Sequence, residues 1–286
     1  MKDTCIIFNP TAKGNRANRL MARICDLAPG IFVERTQKPH DARLFAKRAA
    51  GRGFFKIIAA GGDGTINEVV NGLAAFPDVC LGVLPMGTGN VLARELGIPN
   101  KMEDALAVIR QGRVKRIDVG LAGTRRFVQL AGVGLDAEVV RQTEASVKKN
   151  FGPLGYVFTL IQIAGRKPPR LEIRDAQGEE RTGAFALVGN GFLYGGKFQV
   201  FPSASMTDGL LDVCVFKRQS HLDIIRYTLG FLRQTHTRFS DVEYFQTSRL
   251  WITSNEKTPV EVDGESHGYA PVDFSIKKRA LKVIVP

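Results

Sequence analysis

Glycines and small polar side chains are concentrated between residues 60 and 68, in the segment Ala-Gly-Gly-Asp-Gly-Thr-Ile-Asn-Glu. Glycine leaves the backbone N–H groups open to a ligand, and N–H groups at the start of a helix bind anions, above all phosphate. Asp63 places a carboxylate among these amides, which predicts that a metal ion or a hydroxyl group is held there too. The segment therefore predicts phosphate chemistry.

The apolar pattern predicts that this segment joins a strand to a helix. Residues 54–59 form a strand-like run. Four apolar residues then share one face of a helix: Ile66, Val69, Val70 and Leu73. Thr65 and Glu68 have the spacing of a capping box, which predicts that the helix begins near Thr65.

Two further loops of similar composition follow predicted strands. Residues 9–15, Asn-Pro-Thr-Ala-Lys-Gly-Asn, follow the strand Thr4 to Phe8, and residues 85–90, Pro-Met-Gly-Thr-Gly-Asn, follow the strand Cys80 to Leu84. Strands and helices alternate in this part of the chain, so we expect a parallel sheet with all three loops at one edge. Three such loops at one edge predict a composite nucleotide site.

The pattern changes after about residue 121 and becomes rich in strands. Strand-like runs begin at five positions: Phe127, Ala184, Leu210, Arg249 and Ala280. Three helical stretches interrupt them: 135–148, 156–164 and 222–232. The fold class predicted is α/β, with a three-layer parallel-sheet domain over 1–120 and a β-sandwich domain over 121–276.

Composition restricts the partners of the protein. The 286 residues include 40 Lys or Arg and 28 Asp or Glu, a formal net charge of +12, which favours anionic partners. The positive charge is dispersed, without a recognition motif or a row of aromatic residues, so no nucleic-acid partner is expected. The four cysteines predict neither a disulfide framework nor a zinc site. No apolar run approaches the ~18 residues of a membrane span, so we expect a cytoplasmic protein, peripheral at the inner membrane face.

The motifs, taken in order, resemble the diacylglycerol kinase catalytic-domain family, which includes sphingosine kinases and bacterial lipid kinases. They are Asn9-Pro10, Gly61 to Thr65, Pro85 to Asn90, Ala131 to Asp136, Asp208 to Val213, Val262 to Glu265 and the ending Leu281 to Pro286. The resemblance covers essentially the whole chain. It implies an N-terminal α/β domain, a C-terminal β-sandwich, an ATP cleft between them, and a last strand, about 277–286, that returns to the first domain.

The resemblance also implies which residues bind ATP. They come from the three loops and the end of the second strand: Asn9, Pro10, Thr11, Ala12, Lys13, Thr36, Gly61, Gly62, Asp63, Gly64, Thr65, Ile66, Asn67, Glu68, Thr88 and Asn90. In such a site backbone amides hold the γ-phosphoryl group in line, and Mg²⁺ bridges the phosphates and neutralises developing charge. Asp63 is the residue expected to serve the catalytic metal.

The matching Asp-Gly-Glu of the family carries the acceptor chemistry. A hydroxyl is a poor nucleophile until a carboxylate takes or orients its proton, and the candidates here are Glu265 and Asp263. The sequence does not choose between them, although the family favours Glu265. A bare Asp-Gly is otherwise simply a hairpin turn.

Two positions depart from the family pattern. Asp208 resembles a residue that binds a structural Mg²⁺, with the carbonyl groups of Ser205 and Leu210 as fellow ligands. Ser205 stands where the family often has lysine, so Asp208 as a plain turn residue is the alternative. Val91 stands where the family often has an acidic residue, which removes one candidate carboxylate from the ATP site.

The resemblance thus implies an ATP- and Mg²⁺-dependent lipid kinase whose acceptor is a hydroxyl of diacylglycerol, a long-chain base or a related lipid at an anionic membrane surface. An NAD kinase-like soluble phosphotransferase is an alternative, and Val91 keeps a catalytically silent nucleotide-binding regulator open as another. Residues 226–233 mix apolar and basic groups, and we favour a core-packing helix there over a lipid-facing one. The acceptor lipid and the oligomeric state stay open, a homodimer being one option.

Overall fold

The computed structural model describes residues 3–12, 17–27, 29–145, 163, 165–194 and 198–286. The chain forms two compact units, one of Met1–Val119 with Lys278–Pro286 and the other of Gly120–Lys277. Lys13 and most of the helix expected over 156–164 lie outside the described residues.

The first unit contains a parallel sheet. Its strands are β1 (Thr4–Phe8), β2 (Phe32–Arg35), β3 (Lys56–Gly61) and β4 (Cys80–Pro85). They run in the order β2-β1-β3-β4, and all neighbours are parallel. β1, β3 and β4 are almost wholly buried, as expected of strands whose two faces are both covered by helices. The parallel-sheet half of the predicted fold class is confirmed.

The helices of this unit alternate with its strands. They are α1 (Ala17–Leu27), α2 (Asp41–Gly51), α3 (Asp63–Gly72), α4 (Val91–Glu95) and α5 (Met102–Gln111). Helix α2 buries a face of alanines, and small residues allow helices to approach closely. A Cβ on Gly72 of α3 would collide with the carbonyl oxygen of Arg43 in α2, so this crossing requires glycine.

The predicted start of α3 is wrong by two residues. The helix begins at Asp63, with Gly62 as the N-cap and without a side-chain cap. Glu68 does not reach back to form a capping box. Its carboxylate accepts hydrogen bonds from the backbone N–H groups of His40 (3.0 Å) and Ala42 (3.0 Å) at the start of α2. The Thr65–Glu68 spacing fits a capping box, but the free N–H groups at the start of α2 bind the Glu68 carboxylate instead.

The second unit is rich in antiparallel strands. Following β5 (Arg113–Ala122), its elements are β6 (Arg125–Phe127), β7 (Leu130–Val133), α6 (Leu135–Ala145), β8 (Leu171–Asp175), β9 (Glu180–Gly183), β10 (Phe185–Gly189), β11 (Leu193–Tyr194), β12 (Phe198–Gln199), β13 (Leu211–Phe216), α7 (His221–Arg233), β14 (Val242–Thr247), β15 (Arg249–Ser254), β16 (Pro259–Val262), β17 (Glu265–Tyr269) and β18 (Val272–Val285). One antiparallel sheet has the order β14-β13-β10-β7-β16-β17. Strands β18, β15, β8 and β9 are antiparallel neighbours in that order, within the ten-stranded sheet that also contains β1 to β4. The antiparallel half of the predicted fold class is confirmed.

Two cores stabilise this unit, one on each face of the six-stranded sheet. One packs residues of the two sheets against each other, among them Val213, Val260, Leu250 and Phe274. The other lies under α6 and α7 and contains Phe185, Phe216 and Tyr227. Both faces of β13 are therefore covered, which explains why all six of its residues are buried.

The last strand, β18, contributes to both units. Its residues 272–275 pair with β15 in antiparallel fashion, and Lys282 and Val283 pair with Cys80 and Leu81 of β4 in parallel. Among the described residues, no helix is both long enough and apolar enough to cross a bilayer.

Candidate active site

Hydrogen bonds tie the first two loops of the parallel sheet together. The Asn9 side chain donates to the hydroxyl of Thr65 (2.9 Å), and the Asn9 backbone N–H donates to the carbonyl of Ala60 (2.9 Å). The Asn9 side-chain oxygen in turn accepts from the backbone N–H and hydroxyl of Thr11 (3.0 and 2.7 Å). Because β1 and β3 are parallel neighbours, their carboxyl ends bring these residues to one edge.

The second and third loops approach each other through two glycines. A Cβ on Gly87 would lie only 2.7 Å from the Cα of Gly62, and a Cβ on Gly62 would lie 3.3 Å from the Cα of Gly87. The N–H of Met86 donates to the carbonyl of Gly61 (2.8 Å). The two backbones thus pack in direct contact, which at position 87 only glycine allows.

Asp63 links the second loop to helix α4. Its Oδ1 accepts a hydrogen bond from the backbone N–H of Val91 (2.7 Å). Burial raises the pKa of Asp63, and hydrogen bonds from the amides of Val91, Asn90 and Leu92 oppose that rise. A Cβ on Gly89 would lie 2.8 Å from the other oxygen, Oδ2, so the backbone of Gly89 approaches this carboxylate more closely than a residue with a side chain could.

Asn90 braces the third loop. Its backbone is left-handed, with φ 48°. Its side-chain oxygen accepts from the N–H of Gly87 (2.8 Å), and its side-chain nitrogen donates to the carbonyl of Gly87 (3.1 Å) and to Asn100 (3.3 Å). Asn90 is buried, so its side chain shapes the loop.

The other residues predicted to bind ATP differ in what they can present to a ligand. Thr88 is exposed, and Gly62, Asp63 and Gly64 are half-buried. Ile66 and Asn67 are fully buried in α3. Thr36 is buried, and its hydroxyl donates to the carbonyl of Phe8 (3.4 Å). Pro10 and Ala12 lie in a short 3-10 helix after β1. The side chains of Ile66, Asn67 and Thr36 are therefore packed inside the first unit next to the loops, where they stabilise the loop structure.

In the second unit, Asp263 holds a tight turn between β16 and β17. Its carboxylate accepts three backbone hydrogen bonds, from Val128 (2.9 Å), Gln129 (2.9 Å) and Leu130 (3.1 Å). Asp263 and Gly264 both have positive φ, 49° and 81°, as a two-residue hairpin turn requires. The carboxylate of Asp263 is thus committed to fixing the turn.

Glu265, the next acidic residue, is placed differently. It is half-buried at the start of β17, and its carboxylate forms an ion pair with Arg125. Arg125 is a functional candidate that the sequence did not reveal. Its only sequence signal was its place after the Gly-Thr turn at 123–124.

A buried pair of acids, also missed, lies behind this turn. Glu261 of β16 accepts a hydrogen bond from the N–H of Gly264 (2.7 Å), and Asp136 of α6 accepts one from the hydroxyl of Tyr194 (2.5 Å). A Cβ on Gly132 would lie 2.7 Å from a carboxylate oxygen of Asp136 and 3.1 Å from one of Glu261. An acid in the middle of the apolar strand Val-Glu-Val was the available signal for Glu261.

Burial dominates the acid–base behaviour of this pair. It raises the pKa of Asp136 to about 6, while the Tyr194 hydroxyl opposes the rise. Burial and the charge of Asp136 raise the pKa of Glu261 well above its ordinary value. Two carboxylates in one apolar site do not both ionise readily, so the pair retains a proton at acidic pH.

The residues predicted to hold a second metal form a hydrogen-bonded turn. The N–H of Leu210 donates to the carboxylate of Asp208 (2.9 Å), and the N–H of Asp208 lies 3.5 Å from the carbonyl of Ser205. Within the part of the chain that the structure describes, no group of three or more His, Cys, Asp or Glu side chains could hold a metal ion. A plain turn, the alternative for Asp208, accounts for both of these hydrogen bonds.

Comparison with known families covers nearly the whole chain. The diacylglycerol kinase catalytic domain matches residues 3–122, and the YegS C-terminal NAD kinase beta sandwich-like domain matches residues 129–285. The family resemblance inferred from the sequence is thereby confirmed.

Individual relatives agree with these matches. The chain is 32% identical to a diacylglycerol kinase of Bacillus subtilis (strain 168), over 100% of this chain and 97% of that protein. It is 30% identical to a probable lipid kinase YegS-like of Chromohalobacter salexigens, over 92% of this chain and 86% of that protein. A crystal structure of a diacylglycerol kinase from Bacillus anthracis str. Sterne is similar in fold, with a TM-score of 0.80, 25% identity, and coverage of 99% and 96%.

Proposed function

The chain belongs to the diacylglycerol kinase family, and we propose that it is an ATP- and Mg²⁺-dependent lipid kinase. The reaction transfers the γ-phosphoryl group of ATP to a hydroxyl of diacylglycerol or a related lipid. The observation that carries the proposal is the backbone contact between Gly62 and Gly87 of the first unit, which only glycine at position 87 allows. Within the second unit, a hydrogen-bonded turn fixes the backbone just before Glu265. The names of the relatives support the lipid acceptor.

The first unit would bind the nucleotide phosphates. The backbone of residues 62–64 at the start of α3 and the exposed hydroxyl of Thr88 are the available donors. The first four N–H groups of a helix lack partners within it, so they can hydrogen-bond phosphate oxygens. The packing of the two loops holds these donors before ATP arrives, which favours the transition state because nothing has to reorganise.

Asp63 fits a role toward Mg²⁺. One carboxylate oxygen accepts a hydrogen bond from the N–H of Val91, and the half-buried side chain lies at the start of α3, beside the N–H groups proposed to bind phosphate. A hard cation such as Mg²⁺ prefers one or two carboxylates together with phosphate oxygens and water. Bound with ATP, Mg²⁺ would neutralise charge that develops on the phosphates. Asp63 would then supply the carboxylate for Mg²⁺ at this site, where Val91 stands in place of the acidic residue that is frequent in the family.

Glu265 would act on the acceptor. It would take the proton of the lipid hydroxyl as the new O–P bond forms and the bond from the γ-phosphorus to the β,γ-bridging oxygen breaks, so that ADP leaves. Arg125 would orient the carboxylate through their ion pair. We assign Asp263 to positioning the turn rather than to proton transfer, because its carboxylate already accepts three backbone hydrogen bonds.

A phosphoryl-transfer assay tests this proposal. With labelled ATP, Mg²⁺ and a panel of lipids, the wild-type chain should label a lipid with a free hydroxyl. Glu265→Gln should lower the rate by ~10²–10⁴-fold, the usual contribution of a general base. Glu256→Gln makes the same chemical change on an exposed turn and should retain full rate.

Two results would contradict the proposal. ATP binding without labelling of any lipid would support the silent regulator. Full activity of Glu265→Gln would place the base elsewhere.

A further inference from the structure

Helix α7, His221–Arg233, has apolar residues on two opposite faces. One face is buried against the second unit through Ile224, Tyr227 and Gly230. The opposite face carries large apolar side chains that are exposed to solvent: Leu222 (78%), Ile225 (50%), Leu229 (44%) and Leu232 (60%). The interpretation of this helix as simply core-packing is therefore incomplete.

These four side chains form one continuous stripe, which we call the α7 stripe. Their spacing of three, four and three residues keeps them on one side of a helix. Among the described residues, ten large apolar side chains are exposed, and four of them lie on this single helix. Single exposed leucines are common on proteins, but a contiguous apolar stripe on a surface marks an interaction site.

The helix is held rigidly in place. Ser220 and Asp223 form a complete capping box at its start. The Tyr227 hydroxyl donates to Asp241 (2.6 Å), and the Tyr227 ring packs edge-on against Phe216 with centroids 4.9 Å apart. Arg226 also pairs with Asp241. The α7 stripe is thus preformed and belongs to a fully folded helix.

The surroundings of the α7 stripe are basic. Residues 217–241 contain five Lys or Arg and two Asp. Both aspartates are engaged, Asp223 in the capping box and Asp241 in a buried position beside Tyr227. Arg233 follows Leu229 by four residues, so it borders the stripe on the same side of the helix. Arg218 and Arg238, just before and after the helix, are exposed.

We propose that the α7 stripe docks the protein on an anionic lipid bilayer, with its leucine and isoleucine side chains at the boundary between headgroups and acyl chains. The inference rests on the proposed function, since a kinase of membrane lipids must reach the bilayer, and it names the face that does so. An apolar face bordered by basic residues is the pattern of helices that lie in the membrane interface. The arginines add attraction to anionic headgroups.

Charge decides against a second copy of the chain as the occupant of this surface. Two identical faces brought together would oppose their arginines, and like charges across an interface disfavour association. Four side chains on one helix also fall short of the ~800 Å² per partner that a stable protein interface buries.

Vesicle binding in the absence of ATP and diacylglycerol tests the proposal. The full chain should sediment with vesicles of equal parts phosphatidylglycerol and phosphatidylcholine, and less with phosphatidylcholine alone. Replacing Leu222 and Leu232 together by serine should weaken binding to the anionic vesicles at least ~10-fold, because the transfer of two leucine side chains is lost. Leu44→Ser, at a comparably exposed leucine (54%) on α2, is the matched control and should bind as the wild type does.

Several results would overturn the docking proposal. Wild-type binding by the double serine variant would do so. So would a dimer in sedimentation velocity that the serine substitutions convert to a monomer, since that would assign the stripe to a second copy.

Turnover on a short-chain, water-soluble diacylglycerol separates this proposal from the proposed function. The double serine variant should phosphorylate that substrate at the wild-type rate and lose rate only on vesicles. If the wild type binds vesicles yet phosphorylates nothing, the kinase assignment fails and the docking surface stands. If vesicle and soluble substrates lose rate equally in the variant, docking by the α7 stripe is wrong.

Discussion

The substitution Asp263→Asn tests whether the Asp263 carboxylate positions the turn or acts as the catalytic base. Asparagine adopts the left-handed backbone of this position (φ 49°) readily, so the turn itself is not strained by the change. It keeps one oxygen, which can still accept from Gln129 and Leu130. Its amide nitrogen would face the N–H of Val128, so one buried donor loses its partner.

The expected loss of stability follows from these three hydrogen bonds. A hydrogen bond to a charged group contributes about 1.5–3 kcal/mol, and a buried unsatisfied N–H costs about 1–3 kcal/mol. One lost bond and two weakened ones give a destabilisation of about 3 kcal/mol. For a unit of this size that lowers the melting temperature by roughly 6–12 °C.

Thermal unfolding monitored beside activity provides the assay. Glu265→Gln loses only a partly exposed ion pair with Arg125, which stabilises by about 1 kcal/mol at most. Its melting temperature should therefore move by no more than ~4 °C, while its turnover collapses. The reverse pattern would refute the reasoning. An inactive Asp263→Asn with unchanged melting, beside an active Glu265→Gln, would make Asp263 the base.

Three further predictions concern the two loops and the buried acids. Gly87→Ala places a Cβ 2.7 Å from the Cα of Gly62, so calorimetry should show ATP binding weakened ~10-fold or more, whereas Gly51→Ala, whose Cβ meets nothing closer than 4.0 Å, should bind normally. Asp63→Ala should abolish turnover at every Mg²⁺ concentration. It should lower the melting temperature by only ~2–4 °C, because a single hydrogen bond to the start of α4 is lost. Retained turnover would reject the metal role of Asp63. Burial raises the pKa of Asp136 from 3.8 to about 6, so the folded state binds this proton more tightly than the unfolded chain, and the wild type loses stability as pH rises from about 4 to about 6. Asp136→Asn lacks that loss, so its melting temperature relative to wild type should rise across the same window, and a constant difference would show that the carboxyl does not titrate there.

Much of the fold could be predicted from the sequence because the patterns that predict strands and helices are local. The strand Thr4–Phe8 was predicted with its observed bounds, and the strand from Cys80 to within one residue, since each is a short apolar run closed by clear flanking residues. The alternation of strands and helices was sufficient for a parallel sheet, and the ordered motifs were sufficient for the family.

The roles of the carboxylates needed the tertiary structure. Asp263 and Glu265 are two residues apart and look equivalent in sequence, but the donors that occupy Asp263 come from residues 128–130, more than 130 positions away. Glu68 was misassigned for the same reason, because its partners lie at the start of α2. Local spacing cannot reveal a partner that only chain folding brings near.

The sequence by itself determined which loops carry glycine next to the end of a strand, because glycine acts on the backbone locally, and from this it predicted phosphate binding. It could not determine the exposure of helix α7, where apolar residues cover two faces and the pattern alone does not say which face meets the protein. The packing of the helix on the second unit decided it: Tyr227 contacts the Phe216 ring and the Asp241 carboxylate, whereas the leucines on the other side stay exposed. Burial depends on neighbours distant in sequence, and so it is settled only when the chain has folded.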